Sequence, residues 1–127
     1  MKFSADKNER YTLLKLQEEN LNSVVAPALK SEFILLSNEG RKNLIVDLSE
    51  VAYMDSSGLS TLLTGNRLAT QSGGTFIILG QMSKPVKTLF QISRLDSVLT
   101  IIPTEQEAID YLAMQELEQE LKGEDGE

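Results

Sequence analysis

The first third of the chain has the polar and apolar pattern of two short strands followed by a helix. Residues 2–5 and 11–16 are strand-like and flank a polar stretch rich in turn formers, which predicts an opening hairpin. Asn22 and Ser23 are favoured helix caps, and Pro27 is tolerated in the first turn of the helix that they would begin. The helix should end at Gly40. Its inward-facing residues, at helical spacing, are Val25, Leu29, Phe33 and Leu36.

Strands and helices alternate in the remainder of the chain. Residues 43–48 and 75–79 are nearly unbroken apolar runs, as expected for central strands covered on both faces. Each is followed by a predicted helix, the first opening at the Asp55–Gly58 turn and the second at Ser83. The first of these helices would bury Leu59, Leu62, Leu63 and Leu68. A short strand and a last helix follow, at residues 98–102 and from the capping-box sequence Thr104–Glu107.

The element order β-β-α-β-α-β-α-β-α indicates an α/β fold. We expect a mixed, largely parallel sheet of about five strands with four helices packed against it. The 127 residues are enough for one domain, because a chain of this size buries most of its apolar surface in a single core. We place this domain at residues 1–114. Residues 115–127 should form the end of the last helix and an acidic tail, disordered from Gly123 onward.

Composition excludes several classes of function. Hydrophobic residues make up 41% of the chain and charged residues 24%, the proportions of an ordinary globular domain. The chain has no histidine and no cysteine, which removes Ser-His-Asp catalysis, thiolate chemistry and most zinc sites. No glycine-rich phosphate-binding loop is present in the sequence. We therefore expect neither an enzyme nor a bound metal or cofactor.

The same sequence predicts a cytoplasmic protein that does not enter a membrane. Its apolar runs are much shorter than the roughly 20 residues that span a bilayer. Residues 1–10 are too polar for a signal peptide.

The net charge of −7 lies mostly at the C-terminal end. Residues 115–127 contain six acids and one base, a net of −5, whereas residues 1–114 contain 13 acids and 11 bases, a net of −2. The folded body thus offers no basic stripe, and nucleic acid is not an expected partner. The acidic end is compatible with an interaction arm, although a solvated terminus that aids solubility is the simpler interpretation.

The sequence Asp55-Ser56-Ser57-Gly58 is the strongest candidate for a functional site. It follows a central strand and opens a helix, so it places short oxygen-bearing side chains beside unsatisfied backbone N–H groups. One interpretation is a plain capping turn with a flexible glycine, and the pattern alone favours it. The other is an exposed serine that accepts a phosphoryl group, whose charge the helix N-terminus accommodates.

Residues 44–59, LIVDLSEVAYMDSSGL, closely resemble the signature of the STAS family, the anti-sigma factor antagonists. The similarity extends over roughly residues 9–112. Further positions that match the family pattern are Ala69, Gly73, Gly74, Pro85, Val86, Leu89, Leu95, Glu107 and Ala108. The resemblance implies that Ser57 is the phosphorylated residue and that Asp55, Ser56 and Gly58 shape its site.

The resemblance also implies a function, an anti-sigma factor antagonist that regulates transcription by partner switching. Such a protein binds an ATP-dependent serine kinase that is also an anti-sigma factor. Phosphorylation releases the kinase to hold its sigma factor, and a phosphoserine phosphatase reverses the mark. The residues expected to line the partner interface are Asn22, Met54, Leu59, Ser60 and Met82.

Two other functional hypotheses remain. A STAS module can serve as a constitutive scaffold or subunit, for example in a stress-signalling or lipid-transport assembly, with Ser57 only packing or capping. A small-molecule-binding or enzymatic α/β domain comes last, because acid-base groups and metal ligands are few.

Two departures from the family pattern stand out. The Gly-Glu-Leu-Asp-like segment that usually precedes the first helix is replaced by residues 18–22, Glu-Glu-Asn-Leu-Asn, and Arg94 occupies a position where glycine is common. Asn22 is equally compatible with a hydrogen-bonding role near Ser57 and with a capping role.

Overall fold

The computed structural model of the protein describes residues 1–125. Its elements, in chain order, are β1 (Phe3–Lys7), β2 (Thr12–Leu16), β3 (Asn20–Leu21), α1 (Ala26–Asn38), β4 (Leu44–Asp47), β5 (Tyr53–Met54), α2 (Ser56–Gln71), β6 (Phe76–Leu79), α3 (Lys84–Ser93), β7 (Thr100–Ile102) and α4 (Glu105–Asp125). A single 3-10 turn, Leu95–Ser97, separates α3 from β7.

The main sheet has the strand order β1-β2-β4-β6-β7. β1 and β2 form an antiparallel hairpin, and every other neighbouring pair in this sheet is parallel. Parallel neighbours require a crossover connection, and α1, α2 and α3 lie in those connections along the chain. The predicted α/β fold with a mixed, largely parallel sheet and four helices is therefore confirmed.

The sheet is covered on both faces, as the apolar runs predict. Alternate residues of a strand point to opposite faces, and in β4 Leu44 and Val46 join the larger core cluster with α1, α2 and α3. Ile45 points the other way, into a smaller cluster with Ala108 and Leu112 of α4. α1, α2 and α3 thus cover one face of the sheet, and α4 covers the opposite face.

A second, very small sheet is absent from the sequence prediction. The two-residue strands β3 and β5 pair in parallel, with Asn20 opposite Tyr53 and Leu21 opposite Met54. Strands of two residues are too short to show an alternating pattern. This small sheet matters for function, because it immediately precedes both α1 and α2 along the chain.

Several element boundaries differ from the sequence prediction. β1 continues to Lys7, although the prediction ended this strand at residue 5. α1 begins at Ala26 and not at Asn22, because a separate turn comes first, in which the Ala26 N–H donates to the Asn22 carbonyl at 2.8 Å. β7 begins at Thr100 and not at Val98, because the preceding residues complete the 3-10 turn and the Leu99 N–H donates back to the Leu95 carbonyl.

α3 ends in a left-handed residue. Arg94 caps the helix with φ 61° and ψ 21°, and its N–H donates to the Gln91 carbonyl at 3.2 Å. Glycine adopts this conformation most easily, since any Cβ is crowded there. The conformation is therefore the one that glycine favours, and Arg94 adopts it in this chain.

α4 continues through residue 114, where we placed the domain boundary, and on to Asp125. The helix includes Gly123, which the sequence prediction assigned to a disordered tail. Once a helix has formed, each further residue adds one hydrogen bond, so extension costs little. Gly126 and Glu127, the rest of the predicted tail, lie outside the described residues. Within residues 1–125, the helices are too short or too polar to cross a membrane.

Candidate functional site

Asp55 caps the N-terminus of α2. Its backbone is extended, with φ −114° and ψ −173°, and its Oδ1 accepts hydrogen bonds from the Ser57 N–H at 2.9 Å and the Gly58 N–H at 3.2 Å. A carboxylate at this position also interacts favourably with the helix dipole. The capping interpretation of the motif therefore applies to Asp55 itself. Both serines of the motif lie inside the first helical turn.

Gly58 is needed for close packing and not for flexibility. A Cβ built at this position would lie 2.6 Å from the Leu21 carbonyl oxygen, 2.6 Å from Met54 Cγ and 2.9 Å from Leu21 Cγ. Gly58 is helical and does not have a positive φ, unlike Gly40 and Gly73. The expectation of a flexible turn glycine is thus wrong. The missing side chain lets the start of α2 lie directly against the small sheet.

Residues 18–22, which depart from the family pattern, support the start of α2 through their main chain. The Glu19 carbonyl accepts from the N–H groups of Ala52 at 2.8 Å and Tyr53 at 3.1 Å, and the Leu21 carbonyl accepts from the Asp55 N–H at 3.3 Å. These bonds use backbone atoms, so another sequence could make them equally well. The departure changes the exposed side chains of the segment and leaves its scaffold role intact.

Asn22 acts as a cap. Its Oδ1 accepts from the Val24 N–H at 3.0 Å and the Val25 N–H at 3.3 Å, in the turn that leads into α1. These contacts support the capping interpretation for Asn22. α1 itself begins after Val25, which supplies no side-chain cap.

Ser56 and Ser57 both face an open groove between the first turns of α1 and α2. Ser56 is exposed and Ser57 is half-buried. The hydroxyl of Thr61, one turn further along, donates to the Ser57 carbonyl at 3.0 Å and so ties down the main chain of the site. The groove is about 520 Å³ in volume, and its other lining residues are Ser23, Ala26, Pro27, Lys30, Ser60 and Thr61.

Lys30 is the cationic residue of this groove. From the sequence we expected the N-terminus of α2 to accommodate the charge of a phosphate, but the structure gives this role to a side chain. Two N–H groups of the α2 terminus already donate to the Asp55 carboxylate, so an added anion on a serine would not find them unoccupied. The positive charge available within the groove belongs to Lys30 of α1.

The structure separates the residues that we predicted for the partner interface. Ser60 lies in the serine groove with Ser57. Met54 lies on the other side of the α2 start, in an apolar groove along α3. Leu59 is only 8% exposed and belongs to the larger core cluster, as its place in the predicted buried stripe requires. Met82 is half-buried and lines a different, smaller cavity with Phe90.

Ile92 is a candidate interface residue that the sequence prediction missed. It is 75% exposed and lies in the same groove as Met54 and Leu89. The signal was present in the sequence, because Ile92 falls off the inward-facing stripe of Val86 and Phe90 when positions are projected at helical spacing.

Comparison with known proteins supports the fold and identifies the family. The STAS domain family model matches residues 2–108. A candidate anti-sigma factor antagonist from Thermotoga maritima is 23% identical with a TM-score of 0.76, covering 87% of this chain and 94% of its own. An anti-sigma factor antagonist from Mycobacterium paratuberculosis is 20% identical with a TM-score of 0.72, covering 88% of this chain and 93% of its own.

A third structure shows the same fold in a phosphorylated protein. The Bacillus cell fate determinant SpoIIAA in its phosphorylated form is 23% identical with a TM-score of 0.66, covering 87% of this chain and 98% of its own. The family model spans most of the described sheet and both helices that border the serine groove. This chain therefore belongs to the STAS domain family.

Proposed function

We propose that this protein is a cytoplasmic anti-sigma factor antagonist, controlled by phosphorylation of Ser57. The observation that carries the proposal is the Asp-capped start of α2, where two serines face an open groove beside a single surface lysine. Membership of the STAS family and the described role of its structural neighbours point the same way. The protein acts as substrate and ligand of other proteins, and not as an enzyme.

In the unphosphorylated state an open groove lies at the start of α2, and Asp55 and Lys30 beside it carry opposite charges. Ser56 and Ser57 carry no charge, and the Asp55 carboxylate is engaged by two backbone N–H groups. An anti-sigma serine kinase can bind here with little desolvation of charge. The proposed interface includes Ser60 in the serine groove, and Met54 and Ile92 in the apolar groove. Leu59 supports the interface from the core, and Asn22 supports it by capping the turn before α1. Met82 lies in a separate cavity at the edge of the proposed interface.

Phosphorylation changes this surface without requiring a change of fold. The bound kinase transfers the γ-phosphoryl group of ATP to the Ser57 hydroxyl oxygen. The bond between the γ-phosphorus and the bridging oxygen breaks, ADP leaves and the hydroxyl proton passes to a base of the kinase or to water, so the protein gains a charge of about −1.5 to −2. The new charge lies within two residues of Asp55, whose carboxylate already occupies the helix N–H groups. A partner surface packed against it would have to desolvate a dianion, at a cost of several kcal/mol per buried ion. The kinase is therefore released, and a phosphoserine phosphatase resets the protein.

The folded domain tolerates the phosphate because the serine groove is open. Lys30 supplies a positive charge on the facing wall, and Ser23 and Ser60 supply hydroxyl groups. A phosphate there remains largely hydrated and displaces no core side chain. The switch is thus a change of surface charge at a rigid helix start.

Calorimetric titration with the partner kinase tests the proposal. The kinase is isolated by its retention on the immobilised wild-type protein from native lysate, and recovery of an ATP-binding serine kinase is the first expected result. Ser57→Asp should weaken its binding about a hundredfold, which is about 2.7 kcal/mol. Ser57→Ala should bind within about threefold of wild type, since both side chains are neutral.

The matched control is Ser72→Asp, the same substitution on an exposed serine at the other end of α2. It should leave the affinity unchanged. Unfolding of all variants should stay within about 1 kcal/mol of wild type, because a terminal charge has small effects on helix stability. Wild-type affinity in Ser57→Asp would contradict the switch and favour a constitutive scaffold.

A further inference from the structure

The last helix has two opposite faces of different character. Its inner face carries Ala108 and Leu112, which are buried against the sheet. Further along, the Gln119 side chain donates to the Gly73 carbonyl at 3.0 Å, so the second half of the helix still lies beside the body of the protein. The inner face is therefore fully explained by the fold.

The outer face of α4 carries an apolar stripe that the fold does not use. Met114, Leu117 and Leu121 are 56%, 48% and 51% exposed. Leu117 follows Ala108, and Leu121 follows Leu112, by nine residues, which at about 100° per residue is two and a half turns and places the two members of each pair on opposite sides of the helix. These three side chains thus point away from the sheet. Their spacing of three and four residues is that of a seam between two helices.

Helix propensity alone does not explain this stripe. Leucine and methionine favour helices, but glutamate, glutamine and lysine do so almost equally. Those three residue types occupy most of the neighbouring positions in residues 115–122. Three large apolar residues on one exposed face therefore indicate a surface that is covered by something else.

The charges beside the stripe indicate what covers it. The acids beside it are Asp110, Glu118 and Glu120, and Lys122 is the one base in residues 110–122. Glu116 lies toward the inner side of the helix, where it accepts from the Asn43 side chain at 3.5 Å. A second copy of the chain would bring two acidic rims together, and an anionic membrane would also be repelled. A helix with basic flanks would complement both the apolar seam and the acidic rim.

We propose that the outer face of α4 binds a basic amphipathic helix of a partner protein. The stripe begins beyond residue 108, where the match to the family model ends. It also lies on the helix that covers the other face of the sheet from α1, α2 and α3. This surface is distinct from the serine groove, and the proposal stands independently of Ser57.

A designed peptide tests the proposal without knowledge of the natural partner. The probe is a synthetic helix of about three heptads with leucine at positions a and d and lysine elsewhere. It is titrated calorimetrically into the full-length protein. The same peptide with glutamate in place of lysine tests the charge requirement. We expect the lysine peptide to bind at least tenfold more tightly than the glutamate peptide, and more weakly at high salt.

The matched variant replaces Met114, Leu117 and Leu121 together by glutamine, which keeps helix propensity. It should weaken binding of the lysine peptide at least tenfold and leave the helical content and stability unchanged. Leu35→Gln, which removes an equally exposed leucine (51%) from α1, should bind the peptide like wild type.

Several results would overturn the proposal. These are no binding of the lysine peptide, equal binding of both peptides, or undiminished binding by the triple variant. Sedimentation that shows a wild-type dimer abolished by the triple substitution would assign the stripe to a second copy of the chain instead.

Discussion

The start of α2 and the outer face of α4 are both helical surfaces, yet different interactions determine which residues each of them can hold. At α2, Asp55 makes two capping bonds and Gly58 fits against Leu21 with no room for a methyl group. On α4, Leu117 and Leu121 are about half exposed and belong to neither hydrophobic core cluster. The residues at the start of α2 are restricted by close packing and capping, whereas those on the outer face of α4 are not restricted by the core. Substitutions should therefore affect stability strongly at the start of α2 and weakly on the outer face of α4.

Among substitutions at the start of α2 and on the outer face of α4, Gly58→Ala should have the largest effect on stability. The added methyl group would collide with the Leu21 carbonyl oxygen and with Met54 Cγ, each 2.6 Å away, and one of these contacts is with backbone. Overpacking of this kind costs about 1–3 kcal/mol, so we expect a loss of about 2 kcal/mol in urea unfolding. Gly123→Ala, where nothing lies within 4 Å, is the control and should not destabilise the protein. Equal stabilities would mean that α2 does not pack against the small sheet as described.

Asp55→Ala should cost about 1 kcal/mol, because it removes the N-cap of α2 and leaves two N–H groups without that acceptor. Asp55→Asn keeps a side-chain oxygen at the same place and should retain most of the stability. Thermal and urea unfolding of the two variants give the comparison. A loss as large for asparagine as for alanine would show that the charge, and not the cap, stabilises the helix.

Arg94→Gly should increase stability by about 0.5–1 kcal/mol, because glycine adopts the left-handed cap conformation without a Cβ penalty. Because the Arg94 side chain is exposed, its removal should change packing little, and the measured difference should report the backbone conformation. Arg94→Ala provides the control, as alanine keeps the Cβ and should show no gain. Stability of Arg94→Gly below that of Arg94→Ala would contradict the left-handed assignment.

Leu117→Gln should have the smallest effect, within about 0.5 kcal/mol of wild type, because the side chain is about half exposed and makes no core contact. Leu112→Ala, on the buried face of the same helix, should instead cost about 2–5 kcal/mol. Urea unfolding measures both. A large loss at Leu117 would place that residue in the core of the protein and remove the basis for a docking surface on α4.

The main sheet and its helices were predictable because their apolar residues follow clear periods. The runs at β4 and β6 and the capping box at Thr104 each led to the correct element. β3 and β5 were not predictable, since each is two residues long and is held by backbone hydrogen bonds that leave no sequence pattern. The sequence prediction also began α1 too early, for a different reason. Asn22 does cap a turn, but that turn precedes the helix.

The candidate site was predictable in position and less so in detail. The spacing of the Asp-Ser-Ser-Gly sequence indicated a capped helix start, and Asp55 is that cap. The reason for Gly58 lies in the approach of Leu21, a residue far away in sequence, and no local pattern contains it. The same holds for Lys30, which reaches the serine groove only because α1 packs beside α2. Tertiary contacts of this kind cannot be deduced from spacing within one segment.

Phosphosite mapping by tandem mass spectrometry tests the central claim most directly. The protein is isolated from its native cells as wild type and as Ser57→Ala, with phosphatases inhibited during lysis. The account predicts phosphate on Ser57 in the wild type and none on the first turn of α2 in the variant. Phosphate on Ser56 with Ser57 unmodified, or no phosphate on either serine under any growth condition in which the kinase is present, would contradict it.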